Sequence, residues 1–88
     1  MIDGGLESSE RQAIIWLARH HPEAILSEAT SLDHRTSTLL YTIPAPGGAA
    51  AMGVVFSRLI LTEWSQMDWS KAVAAARALF TKTKESER

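Results

Sequence analysis

Residues 49–61, AAAMGVVFSRLIL, decide the fold. On a 3.6-residue wheel Met52, Val55, Phe56, Leu59 and Ile60 form one stripe, and the leading alanines favour helix. As a strand, residues 52–61 are apolar on both faces, and Gly53 weakens a helix by about 1 kcal/mol relative to alanine. The residues upstream break the tie. Residues 36–43, TSTLLYTI, are dense in threonine, tyrosine and isoleucine, which suit a pleated surface. A strand there needs a neighbour for its backbone groups, and residues 52–61 are the only other strand-like run. Between them PAPGG (44–48) couples the φ fixed by proline to the positive φ open to glycine, as a turn requires. An antiparallel hairpin is therefore expected, with Leu39, Tyr41 and Ile43 on one face and Thr38, Leu40 and Thr42 on the other.

The same region raises a membrane question, because residues 36–57 carry no charged side chain over twenty-two positions. A spanning helix needs about twenty predominantly apolar residues. Pro44 and Pro46 beside Gly47 and Gly48 fall near the middle, and Thr36, Ser37, Thr38 and Thr42 crowd one end. No membrane span is expected. No signal peptide is read at the N-terminus either, since residues 1–7 hold two acids and no base.

Outward from the hairpin, the C-terminal side is the most regular part of the chain. Ser65 and Asp68 make a capping pair, with Trp64 and Trp69 placed as a hydrophobic staple. Trp69, Ala72, Val73, Ala76, Leu79 and Phe80 then line a stripe about 120° wide, with Lys71, Arg77 and Lys82 off it. On the N-terminal side Ser9 and Gln12 suit a helix start, and Ala13, Ile14, Leu17, Ala18 and His21 share a face. Trp16 lies away from that face. Pro22 ends this helix and suits the first turn of a second one over residues 23–30, burying Ile25, Leu26 and Ala29. Residues 31–35 read as a polar turn.

The expected architecture is α+β: two N-terminal helices, a central antiparallel β-hairpin and a C-terminal amphipathic helix. It forms one small domain over residues 1–88, with frayed ends at about 1–8 and 83–88. A chain of 88 residues can bury one modest core without metal or disulfide staples. Cysteine is absent, which removes thiolate chemistry and cysteine-ligated metals and suits a reducing, cytoplasmic setting. Charge is polarised: residues 1–33 hold six acids against two bases, and residues 34–88 hold seven bases against four acids. Such a dipolar chain can steer a partner or a second copy of itself.

Chemical constellations are scarce. Adjacent His20 and His21 point about 100° apart on a helix and cannot share one ion, and His34 lies elsewhere. Gly48 and Gly53 copy a phosphate loop's glycine spacing, but Val54 and Val55 replace its lysine and hydroxyl. Catalysis would need a pocket holding at least two of His20, His21, Glu28, Asp33 and His34. The chain reads as a non-enzyme with no cofactor, metal or small-molecule substrate.

Two alternatives involve DNA. Residues 26–32 followed by Arg35, Thr36, Ser37 and Thr38 resemble the helix-turn-helix of winged regulators, which implies an all-α bundle with residues 36–43 as recognition helix. A strand at residues 36–43, a helix from Gly48 and the helix capped at Ser65 resemble instead a ribbon-helix-helix dimer. That strand would present threonine and leucine where such proteins present arginine, lysine, asparagine or glutamine. The overall net charge of −1 also opposes phosphate binding. The leading expectation is a protein–protein interaction module, acting as a regulator, inhibitor or subunit. Its candidate contact residues are Trp16, Arg35, Lys71, Arg77 and Lys82.

Overall fold

The computed structural model describes residues 5–60 and 65–86. The elements run α1 (Ser8–His20), β1 (Ile25–Thr30), β2 (Thr36–Ala45), β3 (Gly48–Leu59) and α2 (Gln66–Ser86). The strands form one antiparallel meander in the order β1-β2-β3. The Cα trace measures 38 × 33 × 17 Å, and its short axis has room for one helix layer on one sheet.

The expected hairpin is present as β2 and β3, longer than anticipated at the turn end. Pro46 and Gly47 alone make the turn, and Gly47 has φ 85°, which fits the third position of a type II turn. The register runs from Thr36↔Leu59 to Ala45↔Gly48 and slips by one residue twice. The first slip leaves Val55 as the extra residue between Leu39↔Phe56 and Leu40↔Val54. The second leaves Ala50 between Ile43↔Ala51 and Pro44↔Ala49. Gly53 lies opposite Tyr41, whose ring lies so close that a Cβ on Gly53 would come within 2.5 Å of Tyr41 Cε2. The glycine that weakens the helix reading is thus the one the strand requires.

One expectation is overturned on the N-terminal side. Residues 23–30 do not form a second helix; Ile25–Thr30 is strand β1, paired with β2 from Ile25↔Thr42 to Thr30↔Ser37. An eight-residue helix has little stability of its own, whereas β2 offers a second row of backbone partners. The helical pattern of Ile25, Leu26 and Ala29 loses to period two: Leu26 is buried while Ile25 is 56% exposed. The polar turn at residues 31–35 closes this hairpin. His34 N–H donates to Ser31 O at 2.9 Å and His34 takes φ 61°. Asp33 Oδ1 accepts from Ser31 Oγ at 2.5 Å and from Arg35 N–H at 3.1 Å. With residues 36–45 and 48–59 both extended, neither the all-α bundle with its recognition helix nor the ribbon-helix-helix arrangement describes this chain.

The helix termini also differ in detail. Helix α1 starts at Ser8 with a capping box made by Glu7 and Glu10, not Ser9 and Gln12, and Glu7 N–H donates to Glu10 Oε1 at 2.9 Å. Leu6 joins the core and α2 remains helical to Ser86, inside the regions expected to fray. The Ser65 cap is present: Asp68 N–H donates to Ser65 Oγ at 3.0 Å. The staple expected between Trp64 and Trp69 involves Trp64, which lies outside the described residues.

Both helices cover one face of the sheet. Ile14, Leu17 and Ala18 of α1 and Trp69, Ala72, Val73, Ala76 and Phe80 of α2 meet Leu26, Leu39 and Phe56 from the strands. The α2 stripe is the one the sequence gives, with Leu79 at its margin. Trp69 meets the edge of Phe56 at 5.6 Å between ring centroids, and its Nε1–H donates to Glu28 Oε1 at 2.8 Å. Arg58 and Glu10 form a largely buried ion pair, each side chain 11% exposed, that ties β3 to α1.

Candidate functional site

Strand alternation assigns every β residue a face and an edge. Ser31 N–H bonds Thr36 O, and Ile60 N–H bonds Arg35 O. In antiparallel pairing the bonded residues then alternate along each strand. On β1, residues 25, 27 and 29 point their backbone groups at β2, and Leu26, Glu28 and Thr30 point theirs away. On β3, Gly53 and Arg58 face β2, while Met52, Val54, Ser57 and Leu59 face the free edge.

The two edges differ in what meets them. At β1, Arg77 reaches from α2 and its Nη1–H donates to Leu26 O at 3.0 Å, so a helix side chain caps the outward carbonyl. At the far end of β3, Arg58 Nη1–H does the same for Ser57 O at 2.8 Å. No group among the described residues bonds the outward backbone of Met52 or Val54. Residues 48–57 also lack the lysines and prolines that usually blunt an edge strand.

Side chains beside this open edge are apolar on both sides of the sheet. The outer face, away from the helices, carries no charged residue: the rows Ile25–Thr42–Met52 and Ser27–Leu40–Val54 cross all three strands. Met52 is 65% and Val54 60% exposed. On the helix side, a groove of about 300 Å³ runs between α1 and β3, lined by Ala13, Trp16, Leu17, Tyr41, Val54 and Val55. Trp16 is 55% exposed at its rim. Its indole is held in place, with the His20 ring stacked on it at 4.7 Å and the His21 ring tilted at 5.8 Å. Such a site can hold an extended backbone along β3 and one or two apolar side chains in the groove.

Of the contact residues expected from sequence, Trp16 alone lies in this groove. Arg35 sits in the β1–β2 turn, Lys71 and Lys82 are exposed on α2, and Arg77 is committed to Leu26 O. Lys71 and Lys82 lie about 20° apart around the α2 axis, and Arg77 lies about 120° from Lys71 and about 140° from Lys82, so the three do not form one patch. Met52, Val54, Val55 and Tyr41 were not anticipated as contact residues. The signal for them was available: ten consecutive residues with neither charge nor proline, in a strand with one neighbour.

The groups considered for catalysis are dispersed. Glu28 is bonded to Trp69, His20 and His21 flank Trp16, and Asp33 and His34 form the β1–β2 turn. Among the described residues no three histidine, aspartate or glutamate side chains converge as a metal site. The Asp33 carboxyl is held below its ordinary pKa of 3.8, first by the Ser31 hydroxyl and then by the Arg35 N–H. That shift serves the turn. No helix among the described residues is long and apolar enough to cross a membrane.

No protein-family model, curated protein or solved structure matches this chain.

Proposed function

We propose that this protein is a non-enzymatic interaction module, a regulator, inhibitor or subunit, that takes its protein partner as an added strand on β3. One observation carries the reading: the outward backbone of Met52 and Val54 is open beside the Trp16 groove, while at the opposite sheet edge Arg77 occupies the outward carbonyl of Leu26. Strand addition draws affinity from main-chain hydrogen bonds and specificity from pockets for alternate side chains. Four such bonds contribute about 1 kcal/mol each, which does not offset an association cost of about 4–15 kcal/mol. Burial of apolar surface must supply the rest. The groove and the exposed Met52 and Val54 side chains offer it on opposite faces of the incoming strand. The cysteine-free composition supports a cytoplasmic setting for this activity.

The test uses soluble, lysine-flanked peptides of alternating valine and threonine, read out by amide hydrogen exchange. Added peptide is expected to slow exchange at Met52 and Val54 and to leave Leu26 and Glu28 unchanged. Met52→Pro removes an outward N–H without breaking the β2–β3 ladder, and is expected to weaken peptide binding about 5-fold, read as reduced protection at Val54. Equal protection at both sheet edges, or none at β3, would remove this reading.

A further inference from the structure

Resting on that reading, we infer that the strand β3 accepts is β3 of a second copy of this chain, paired antiparallel about a two-fold axis at Gly53. The free edge of β3 calls for a chemically matched strand. A strand laid along residues 48–57 meets no charge and no proline, so its best counterpart is uncharged, apolar and free at one edge. The chain carries such a strand itself. In a two-fold contact each surface meets its own copy, so a stretch without charge meets no like charge.

The irregularities of β3 fix the register. Between the irregularities at Ala50 and Val55, only residues 51–54 are regular, and within them only Met52 and Val54 turn their backbone groups outward. Ser57 is excluded because Arg58 occupies its carbonyl. A two-fold at Gly53 uses both open residues of each copy: Met52 faces Val54 of the second copy and Val54 faces its Met52, giving four backbone hydrogen bonds. A two-fold at Met52 would instead need the irregular Ala50 as a partner. At Gly53 the facing residues form the close, non-hydrogen-bonded kind of pair, with Cα atoms about 4.5 Å apart. Glycine suits that spacing.

The two sheets also become continuous. The pairing joins two three-stranded sheets into one of six, on which the uncharged outer faces become a single surface. Met52 and Val54 then lie side by side across the join. On the helix side Ala51 of the second copy falls opposite Val55, at the mouth of the Trp16 groove lined by Val55 and Tyr41. Four backbone bonds with two small apolar patches put this contact in the weak, reversible class, with dissociation on the order of micromolar.

Sedimentation velocity across a concentration series tests the inference. The wild-type chain is expected to pass from monomer to dimer, with exchange at Met52 and Val54 slowing as dimer forms. Met52→Pro deletes one donated bond per copy, two per dimer, and is expected to raise the dissociation constant about 30-fold. The register is tested by charge. Met52→Lys with Val54→Lys should stay monomeric, whereas Met52→Lys with Val54→Glu should dimerise, because each lysine then faces a glutamate across the axis. An axis at Met52 would oppose lysine to lysine and keep that second variant monomeric, overturning the register. A chain that stays monomeric but still protects Met52 and Val54 on adding strand peptides overturns the second-copy inference and leaves the interaction module standing. A dimer indifferent to all these substitutions overturns both.

Discussion

The sheet has two edges, built from the same kind of backbone and finished differently. At β1 the residues whose backbone points outward, Leu26 and Glu28, carry side chains on the helix face, within reach of α2. Arg77 takes the Leu26 carbonyl and Trp69 takes the Glu28 carboxylate. At β3 the outward-pointing residues Met52 and Val54 carry side chains on the outer face, where no helix lies. Strand parity contributes to this contrast: where an outward-pointing residue carries its side chain on the helix face, as Leu26 does, its carbonyl lies within reach of α2. The outward carbonyl that α2 bonds, Leu26 O, belongs to a residue whose side chain points at the helices.

The largest test of that contrast removes Arg58, which closes part of β3. Arg58→Ala frees Ser57 O and leaves the Glu10 carboxylate without its guanidinium. A loss of about 3 kcal/mol in chemical denaturation is expected, with faster exchange spreading from Met52 toward Leu59. Arg77→Ala opens β1 instead. Its outward carbonyl returns to water, so about 1–2 kcal/mol is expected, together with peptide-induced protection at Leu26 that the wild-type chain lacks. Trp69→Phe keeps the ring against Phe56 and deletes its bond to Glu28. About 1 kcal/mol is expected, without any change in β3 exchange.

Acid is the mildest probe. Asp33 is depressed in the folded chain, so its contribution to the β1–β2 turn is present above the ordinary value of 3.8 and fades as pH falls through the lower folded value. Amides of Asp33, His34 and Arg35 should exchange faster only below about pH 4, and Asp33→Asn should flatten that dependence. Loosening of the turn already at neutral pH would contradict the bonding at Asp33.

Much of this was legible in the chain. The β2–β3 hairpin followed from the backbone demand of residues 36–43, and the α2 stripe from period 3.6 alone. The residues that misled were Ile25, Leu26 and Ala29, whose spacing fits either period over so short a run. Tertiary pairing, which local propensity does not contain, chose strand. Pro22 added to the error, because proline suits both a helix start and the gap between α1 and β1. The site was half legible: Trp16 stood out as an aromatic off the buried face of its helix. Met52 and Val54 did not, because their role depends on which strand lies at the edge and on which side the helices pack. Arg77 read as a solvent-facing cation, and only the fold shows it closing an edge.

The Tyr41 ring resting on Gly53 carries a consequence for how this chain can drift. Any side chain at residue 53 would have to displace the ring, and that ring is also a wall of the Trp16 groove. The two positions are therefore coupled: among diverged copies, glycine at 53 should persist wherever 41 is aromatic, and a larger residue at 53 should arrive together with a smaller one at 41. Such a paired change would reshape the groove while leaving the β2–β3 ladder intact, so a change of partner in this lineage could be recorded first in those two positions.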